Sequence, residues 1–313
     1  MQLLEVRADN LCLQHDSYKE SHVSNHMEEY AEDYTLQELL VVSAAREVKD
    51  REVVFVGVGI PCLGALVAKL THAPDVILAV ESGCIGATPY RLMLGIGDNA
   101  CGENAICVSS LWRAFSDQQR GYFDLGMLGG AQVDKYGNLN STTIFGDGDY
   151  YTPRTRLPGS GGANDIAISA KRTLIMMNQQ KRRFLEKVDF ITSPGYLDGP
   201  GAREQNGYPG NGPAVIISNM AIFRFDETTK EAYLDSVHPG ITADDVRKEV
   251  SWDLKVSANL KTTPPPTKKE AEIIRILDSR KIYTGGGLRT LTFESYIDML
   301  DSSYEKLKAV FSR

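Results

Sequence analysis

The sequence has no long apolar run and no long basic run. No apolar stretch approaches the ~20 residues that a membrane-spanning helix requires, and the N-terminus, MQLLEVRADN, has no basic-then-apolar signal pattern. The longest basic run is the triplet 181–183, and the formal net charge of the 313 residues is −7. These absences argue against a membrane or a nucleic acid as a partner, and they predict a cytoplasmic protein.

The sequence also lacks paired cysteines. Its five cysteines are odd in number and none forms a CxxC pair, which argues against a disulfide framework and a zinc knuckle. His22 and His26 have no supporting cysteine, and Asp147 and Asp149 have no further acids in their turn, so no metal site is predicted. Cys84 has two interpretations, a nucleophile or, more commonly, a small apolar side chain beside a site.

The most informative stretch in the chain is 76–89, VILAVESGCIGATP. Its first five residues are apolar and predict a strand buried on both faces, as in parallel sheets. The strand stops at Glu81, which a Gly-rich turn follows. Ligands of open α/β sheets bind just outside the carboxyl ends of strands. Glu81 is therefore a structural acid that caps the turn, a group that binds a ribose hydroxyl, or a catalytic group.

A helix–strand–helix segment leads into this stretch. Thr35 and Glu38 form a capping-box pattern that predicts a helix over residues 36–48. Apolar residues predict a buried strand over residues 53–58 and a second helix over residues 61–70. With the strand that ends at Glu81, these elements form a βαβ unit and predict an α/β fold with a mostly parallel open sheet flanked by helices.

A dinucleotide-binding fold would show a similar order of elements. Gly57 and Gly59 supply the first two glycines of a GxGxxG turn, but Cys62 occupies the third glycine position. A GxG pair alone is weak evidence, so the dinucleotide interpretation is disfavoured.

Two glycine clusters follow along the chain. The first ends an apolar strand and comprises Gly129, Gly130, Ala131 and Gln132; the second comprises Gly159, Ser160, Gly161, Gly162, Ala163 and Asn164. Paired glycines at a strand end leave backbone N–H groups uncovered, which suits them to bind an oxyanion or a phosphate. Two tight turns without a ligand are the alternative, but two clusters together with Glu81 favour a site.

The rest of the chain divides into shorter elements. Strands are predicted at 173–177, 188–192 and 215–218, a hairpin at 223–234, a helix at 242–249, a Pro-rich spacer at 262–269, and helices at 270–280 and 293–311. The Gly- and Pro-rich loop 194–213 is long, and such loops are usually functional, so we expect it to close around the site. The predicted organisation is a polar arm (1–34), an α/β domain (35–262) and a C-terminal segment (263–313).

Five segments resemble one known family. They are VESG at 80–83, LGGAQVDKYGNLNST at 128–142, TRLPGSGGAND at 155–165, MMNQQKRRF at 176–184 and VDFITSPGYLDGPGARE at 188–204. In this order and spacing they resemble the class I CoA-transferase family, in particular the B subunit of glutaconate CoA-transferase. The resemblance covers residues 35–260 and implies the fold shared with sugar-phosphate isomerases.

The resemblance also implies a chemistry and a partner. It implies that Glu81 is the nucleophile, that coenzyme A is a substrate carried as a glutamyl thioester, and that no cofactor is permanently bound. Acyl-CoA and carboxylic acids are the implied substrates, and an A-type CoA-transferase subunit is the implied partner. The glycine clusters are the expected oxyanion and CoA-binding groups.

Three alternatives to a CoA-transferase are considered on the same scaffold. A CoA-ester hydrolase that opens a ring by a retro-Claisen step is the main alternative, and a catalytically silent support subunit is the alternative from another class. A decarboxylase in which a cysteine replaces the glutamate is disfavoured because Glu81 is present.

Overall fold

The computed structural model describes residues 29–89, 91–286 and 292–298, together with residues 301 and 305. Within these ranges, the residues from Ala31 onward belong to one compact unit. The predicted polar arm, including His22 and His26, lies almost wholly outside the described residues, as does most of the helix predicted at 293–311, of which residues 293–298 are helical. Across the described ranges, no helix is both long enough and apolar enough to cross a membrane.

The helices are α1 (Leu36–Ala45), α2 (Ile60–Leu70), α3 (Leu111–Gln119), α4 (Ala163–Ser169), α5 (Ala202–Gln205), α6 (Ala243–Lys248) and α7 (Lys268–Leu277), with a 3₁₀ turn at Asn99–Gly102 and a π-helical turn at Ile282–Gly286. The strands are β1 (Val53–Val56), β2 (Ile77–Ala79), β3 (Cys84–Ile85), β4 (Cys107–Val108), β5 (Leu125–Leu128), β6 (Gln132–Asp134), β7 (Leu139–Asn140), β8 (Thr143–Ile144), β9 (Thr155–Arg156), β10 (Arg172–Met176), β11 (Phe184–Leu185), β12 (Pro213–Ile217), β13 (Ala221–Phe225), β14 (Ala232–Val237) and β15 (Val256–Thr262).

Ten of these strands form one mixed sheet in the order β15-β14-β13-β12-β10-β5-β1-β2-β3-β4. Its central strands β12, β10, β5, β1 and β2 are all parallel, and antiparallel hairpins flank them on both sides. The predicted α/β fold with a mostly parallel open sheet is confirmed. The βαβ unit is also confirmed, because β1 and β2 pair in parallel on either side of α2.

The central strands are buried on both faces because their neighbouring side chains enter different cores. Val54 and Val56 of β1 pack into the core beneath α1, α2 and α7, whereas Phe55 packs into the core beneath α4 and α6. Leu78 and Ala79 of β2 divide in the same way. Successive residues of a strand point to opposite faces, so an uninterrupted apolar run satisfies both cores.

Local signals set the ends of the helices. Capping boxes start α1 at Thr35, α6 at Thr242 and α7 at Thr267. Helix α1 ends at Ala45, earlier than predicted, because the N–H groups of Glu47 and Val48 bond to carbonyls three residues back. This tightens the last turn and stops the helix.

The segment that follows β15 packs on the main core. Strand β15 extends to Thr262, so the predicted Pro-rich spacer is reduced to residues 263–266, and α7 starts two residues earlier than expected. The apolar side of α7 buries Ile273, Ile274 and Leu277 in the core that α1 and α2 share. The division into an α/β domain and a C-terminal segment stays a prediction.

One predicted strand is wrong. Residues 188–192 form no strand, although the strands predicted at 173–177 and 215–218 and the hairpin at 223–234 are present within one to three residues. The N–H of Asp189 donates to the side-chain oxygen of Gln132, and the N–H of Thr192 donates to the Leu139 carbonyl. Because distant groups satisfy these donors, the segment needs no ladder partner.

Candidate active site

Glu81 lies in a tight turn at the carboxyl edge of the sheet. Strand β2 returns as β3 through this turn, which the N–H of Gly83 closes on the Val80 carbonyl at 3.0 Å. Gly83 has φ +98°, and a Cβ there would lie 2.5 Å from the Ser109 carbonyl oxygen, so the turn requires glycine. Glu81 is half-buried.

The second glycine cluster passes directly beside Glu81. A Cβ built on Gly161 would lie 3.9 Å from Oε1 of Glu81. The loop is anchored at Gly159, whose N–H donates to the Ser141 carbonyl (2.8 Å) and whose carbonyl accepts from the Ser141 hydroxyl (2.9 Å). Two parts of the chain that the sequence analysis predicted to share a site are therefore adjacent.

The ring of Phe115, in α3, packs against this loop at Gly162. A Cβ on Gly162 would lie 2.1 Å from a carbon of the Phe115 ring, so only glycine fits there. The N–H of Ala163 donates to the Ser160 carbonyl (2.9 Å), which continues the loop into α4. The sequence analysis missed Phe115, which lies in none of the recognised segments, and it did not single out Ser141, although Ser141 lies within the segment 128–142.

Asn164 carries a polar atom without a partner. Its Oδ1 is buried, and no residue of the described ranges donates a hydrogen bond to it. Buried polar atoms are normally paired, and an unpaired one suggests a ligand or an ordered water. Asn164 lies in the first turn of α4, directly after the glycine loop. It therefore stays a candidate ligand-binding residue.

The first glycine cluster lies further along the same edge. Strand β1 lies between β2 and β5, since its residue Phe55 pairs with Ala79 of β2 on one side and with Gly126 of β5 on the other. Strands β2 and β5 are therefore about 10 Å apart. A Cβ on Gly129 would lie 3.2 Å from a carbonyl oxygen of the neighbouring β10. The N–H of Ala131 donates to the Asn140 carbonyl at 2.8 Å, so that N–H is already used.

Gln132 is a buried part of the support for this turn. It is 3% exposed, and its Nε2 donates to Asp189 at 3.1 Å. Its Oε1 accepts from the side chain of Asn140 (2.6 Å) and from the N–H of Asp189. Both polar atoms of the Gln132 amide thus have protein partners, which leaves the backbone of Gly129 and Gly130 as the cluster's accessible groups.

The thiol of Cys84 faces the core. Cys84 is 8% exposed and belongs to the apolar cluster beneath α1 and α2, with the Ser82 hydroxyl 3.7 Å from its sulfur. Burial raises the pKa of its neighbours in that cluster, Cys62 to about 12 and Cys101 to about 11, so these thiols are neutral. The geometry favours the interpretation of Cys84 as a small apolar side chain beside the site.

The long loop 194–213 is fixed by a buried arginine that the sequence analysis did not single out. Arg203 is 3% exposed, and its guanidinium donates to five carbonyl oxygens at 2.8–3.3 Å. Three belong to the loop, and two belong to Ala167 and Ile168 of α4. Burial lowers the pKa of Arg203. The only sign of this role in the sequence was an arginine inside a Gly-rich loop.

The acids of the turn at 147–149 serve a local role. One carboxylate oxygen of Asp149 accepts from the N–H groups of Tyr151 and Thr152, and these hydrogen bonds lower the pKa of Asp149. Across the part of the chain that the structure describes, no three His, Cys, Asp or Glu side chains are grouped as metal ligands.

An exposed apolar surface adjoins the Glu81 turn. Ile106 (78% exposed), Val108 (70%), Leu111 (47%) and Trp112 (70%) lie on or beside β4 and at the start of α3. We call these four residues the apolar edge, because β4 is the last strand of the sheet. The N–H of Ser109, in its centre, donates to the Gly83 carbonyl at 3.0 Å. Such surfaces on soluble proteins usually mark interfaces.

Comparisons with known proteins identify the family to which the chain belongs. The coenzyme A transferase family matches residues 38–249. The B subunit of 3-oxoadipate CoA-transferase from Pseudomonas knackmussii is 43% identical over 248 residues, which cover 79% of this chain and 94% of the relative. The B subunit of glutaconate CoA-transferase from Acidaminococcus fermentans is 41% identical over 239 residues, or 74% of this chain and 88% of the relative.

The likeness extends to structure. The crystal structure of glutaconate coenzyme A-transferase from Acidaminococcus fermentans superposes with a TM-score of 0.76 at 37% identity, covering 82% of this chain and 100% of that chain. A more distant relative, the IpdB component of the cholesterol ring-cleaving hydrolase of Mycobacterium tuberculosis, is 28% identical over 226 residues, 70% of this chain and 84% of the relative.

Proposed function

This chain belongs to the class I coenzyme A transferase family as a B-type subunit, and we propose that Glu81 is the nucleophile that carries coenzyme A between two carboxylic acids. The observation that carries the proposal is the pairing of Glu81 with the glycine loop: a half-buried carboxylate at a strand end lies 3.9 Å from the position of a Cβ on Gly161. A carboxylate and uncovered backbone N–H groups are the two components that acyl transfer requires.

The first half-reaction loads the enzyme. A carboxylate oxygen of Glu81 attacks the carbonyl carbon of the acyl-CoA, the C–S bond breaks, and CoA leaves as a thiolate. The thiolate then attacks the acyl carbon of Glu81, the C–O bond of the mixed anhydride breaks, and the first acid leaves as a carboxylate. A glutamyl-CoA thioester remains. The acceptor carboxylate repeats these steps in reverse, so no proton, water or external energy source is consumed.

Each attack passes through a tetrahedral oxyanion. The N–H of Gly159 is already bonded to Ser141, so the proposed donors are the backbone N–H groups of residues 160–162, because Gly161 lies beside Glu81. Gly129 and Gly130 lie about two strand spacings away. One well-placed donor lowers such a barrier by about 3 kcal/mol. We assign the first oxyanion contact to the 159–162 loop and keep Gly129 and Gly130 as contacts for the remainder of the substrate.

The acyl group is proposed to be a dicarboxylic acid. The relatives at 43% and 41% identity are named for 3-oxoadipate and glutaconate, which are both dicarboxylates. The proposal therefore includes a (di)carboxylic acyl-CoA donor and a small carboxylate acceptor.

A separate A-type subunit is proposed to cover the apolar edge. A B-type subunit implies an A-type one, and a crystal structure of the related decarboxylase AibA/AibB bears the names of two subunits. The apolar edge is exposed, lies on an edge strand and bonds to the Glu81 turn through Ser109. A partner docked there would bury about four apolar side chains and border the catalytic carboxylate.

Acceptor dependence tests the proposed activity against ring-opening hydrolysis, which the distant hydrolase relative represents. The assembled two-subunit enzyme is mixed with dicarboxylic acyl-CoAs, with and without acetate, and acyl-CoA products and free thiol are followed. A transferase gives a new acyl-CoA only with acceptor, in ping-pong kinetics with little free thiol, and Glu81→Gln abolishes it. Acceptor-independent thiol release or a ring-opened CoA product would favour the hydrolase.

A further inference from the structure

The β8–β9 hairpin, which leads into the glycine loop beside Glu81, carries an aromatic tip. Tyr151, near the tip, is 85% exposed, and Tyr150 is 42% exposed. The two rings contact edge to face, with centroids 5.5 Å apart, and Phe190 packs against Tyr150 at 5.5 Å. The hairpin thus holds an aromatic surface in place, although large apolar rings are normally buried.

A guanidinium stacks on the same surface. The Cζ of Arg156 lies 4.9 Å from the centroid of the Tyr150 ring, and one Nη donates to the Tyr150 carbonyl. A guanidinium has five N–H donors, so most of those of Arg156 stay available to bind a ligand. Arg154 lies on the same hairpin and is also exposed. Within the described ranges neither arginine has a carboxylate partner.

The acids of this hairpin do not neutralise the arginines. Asp149 is held by the N–H groups of Tyr151 and Thr152, which shape the turn, and Asp147 is exposed without an ion pair in the described residues. Arg156 therefore places a positive charge on the face of the Tyr150 ring.

The hairpin is connected to Glu81 by a short, well-anchored segment. Arg156 precedes Gly161 by five residues, so their Cα atoms are at most about 18 Å apart. The N–H of Leu157 donates to the Thr142 carbonyl, which closes the hairpin just before the glycine loop. The pantetheine arm of coenzyme A has about 13 bonds between sulfur and phosphorus and extends on the order of 15 Å. The pantetheine arm and the long Arg156 side chain together span this distance, so a CoA whose sulfur is at Glu81 can bring its phosphates to the guanidinium.

We propose that the β8–β9 hairpin binds the nucleotide end of coenzyme A, with the adenine stacked on Tyr151 and a phosphate bound by the guanidinium of Arg156. Aromatic faces bind bases by stacking, and the planar guanidinium fork matches a phosphate in a bidentate fashion. This inference rests on the proposed function for the position of the sulfur at Glu81. The hairpin would then set affinity for CoA without taking part in the chemistry.

The test compares substrates with and without the nucleotide in the assembled two-subunit enzyme. Arg156→Gln and Tyr151→Ala are expected to raise KM for acyl-CoA about tenfold each, with kcat unchanged, because one charged hydrogen bond or one stacked base is lost. Both variants should use acyl-pantetheine, which has no nucleotide, as wild type does. Arg51→Gln is the matched control. Arg51 is an exposed arginine in the turn before β1, and it therefore lies at the amino ends of the strands, opposite to Glu81.

Two results would overturn the proposal. One is an equal loss with acyl-pantetheine and acyl-CoA, which would show that the hairpin acts on the acyl site. The other is loss of binding to the A-type subunit with unchanged affinity for CoA, which would make the hairpin a protein interface.

Direct binding separates this inference from the proposed chemistry. Calorimetric titration of free CoA and of adenosine 3′,5′-bisphosphate into the assembled Glu81→Gln enzyme measures nucleotide affinity without turnover. Arg156→Gln in that background should weaken both ligands about tenfold even if Glu81 proves not to be the nucleophile. Unchanged affinity for both ligands would reject the hairpin site even if transfer through Glu81 is established.

Discussion

A methyl group on Gly161 should impair transfer far more than it impairs folding. Gly161 has φ +50°, a left-handed conformation that costs an alanine about 1–2 kcal/mol of stability. The new methyl would lie 3.9 Å from Oε1 of Glu81, an ordinary contact distance, so no clash adds to that cost. The methyl does occupy space beside the attacking oxygen, where the thioester carbonyl must approach to about 3–3.5 Å.

The expected effect is a selective loss of rate. A displacement of the reacting carbonyl by about 1 Å costs on the order of 100-fold in rate. Gly240→Ala is the matched control, because Gly240 has φ +80° and no atom lies within 4 Å of the position that a Cβ would take, so the variant carries similar strain without contact to Glu81. Urea unfolding should show similar losses of stability in both variants, while kcat of transfer falls only in Gly161→Ala. Equal rates in the two variants would refute the proposed geometry.

Three further predictions concern other parts of the chain. Arg203→Met should lower the free energy of unfolding by about 3 kcal/mol, since it leaves five buried carbonyls without their donor, and thermal melts that match wild type would contradict this. Burial lowers the pKa of His238 from 6.5 to about 4, so as the pH falls the unfolded chain binds a proton at this residue before the folded chain does. This residue alone should therefore remove about 2 kcal/mol of stability between pH 8 and pH 5. A His238→Gln variant whose stability depends on pH as steeply as that of wild type would rule this out. Trp112→Ser should weaken binding of the A-type subunit at least tenfold in titration calorimetry, whereas Leu260→Ser on the opposite edge strand should not, and equal effects would count against the apolar edge as the interface.

Local signals were sufficient to predict much of the fold. The capping box at Thr35 and the buried strand before Glu81 depend on neighbouring residues, and both are present in the structure. The order of strands and helices likewise predicted a parallel sheet, because a βαβ connection leaves few alternatives.

Features that depend on distant contacts were not predictable in the same way. Residues 188–192 have the composition of a strand, yet Gln132 and Leu139 from another part of the chain satisfy their backbone donors. The role of Arg203 depends on carbonyls from both the long loop and α4, which no spacing in the sequence indicates.

The site was predictable in its components and not in its arrangement. Glu81 and the glycines at 159–162 stand out in the sequence because a carboxylate and paired glycines interrupt regular patterns. Their proximity depends on the hydrogen bonds between Ser141 and Gly159 and on the packing of Phe115 against Gly162, which are contacts between residues far apart in the chain. The apolar edge was equally hidden, since β4 is exposed only because it is the last strand.

The proposed covalent intermediate on Glu81 can be observed directly. The assembled enzyme is incubated with a dicarboxylic acyl-CoA in the absence of acceptor, treated with borohydride, which reduces a thioester to an alcohol, and digested for peptide mass spectrometry. The account predicts one modified peptide, with the reduced side chain at Glu81, and no modification without acyl-CoA. Modification at Cys84 instead, or an unmodified Glu81 in an enzyme that still transfers CoA to an added acceptor, would contradict the account.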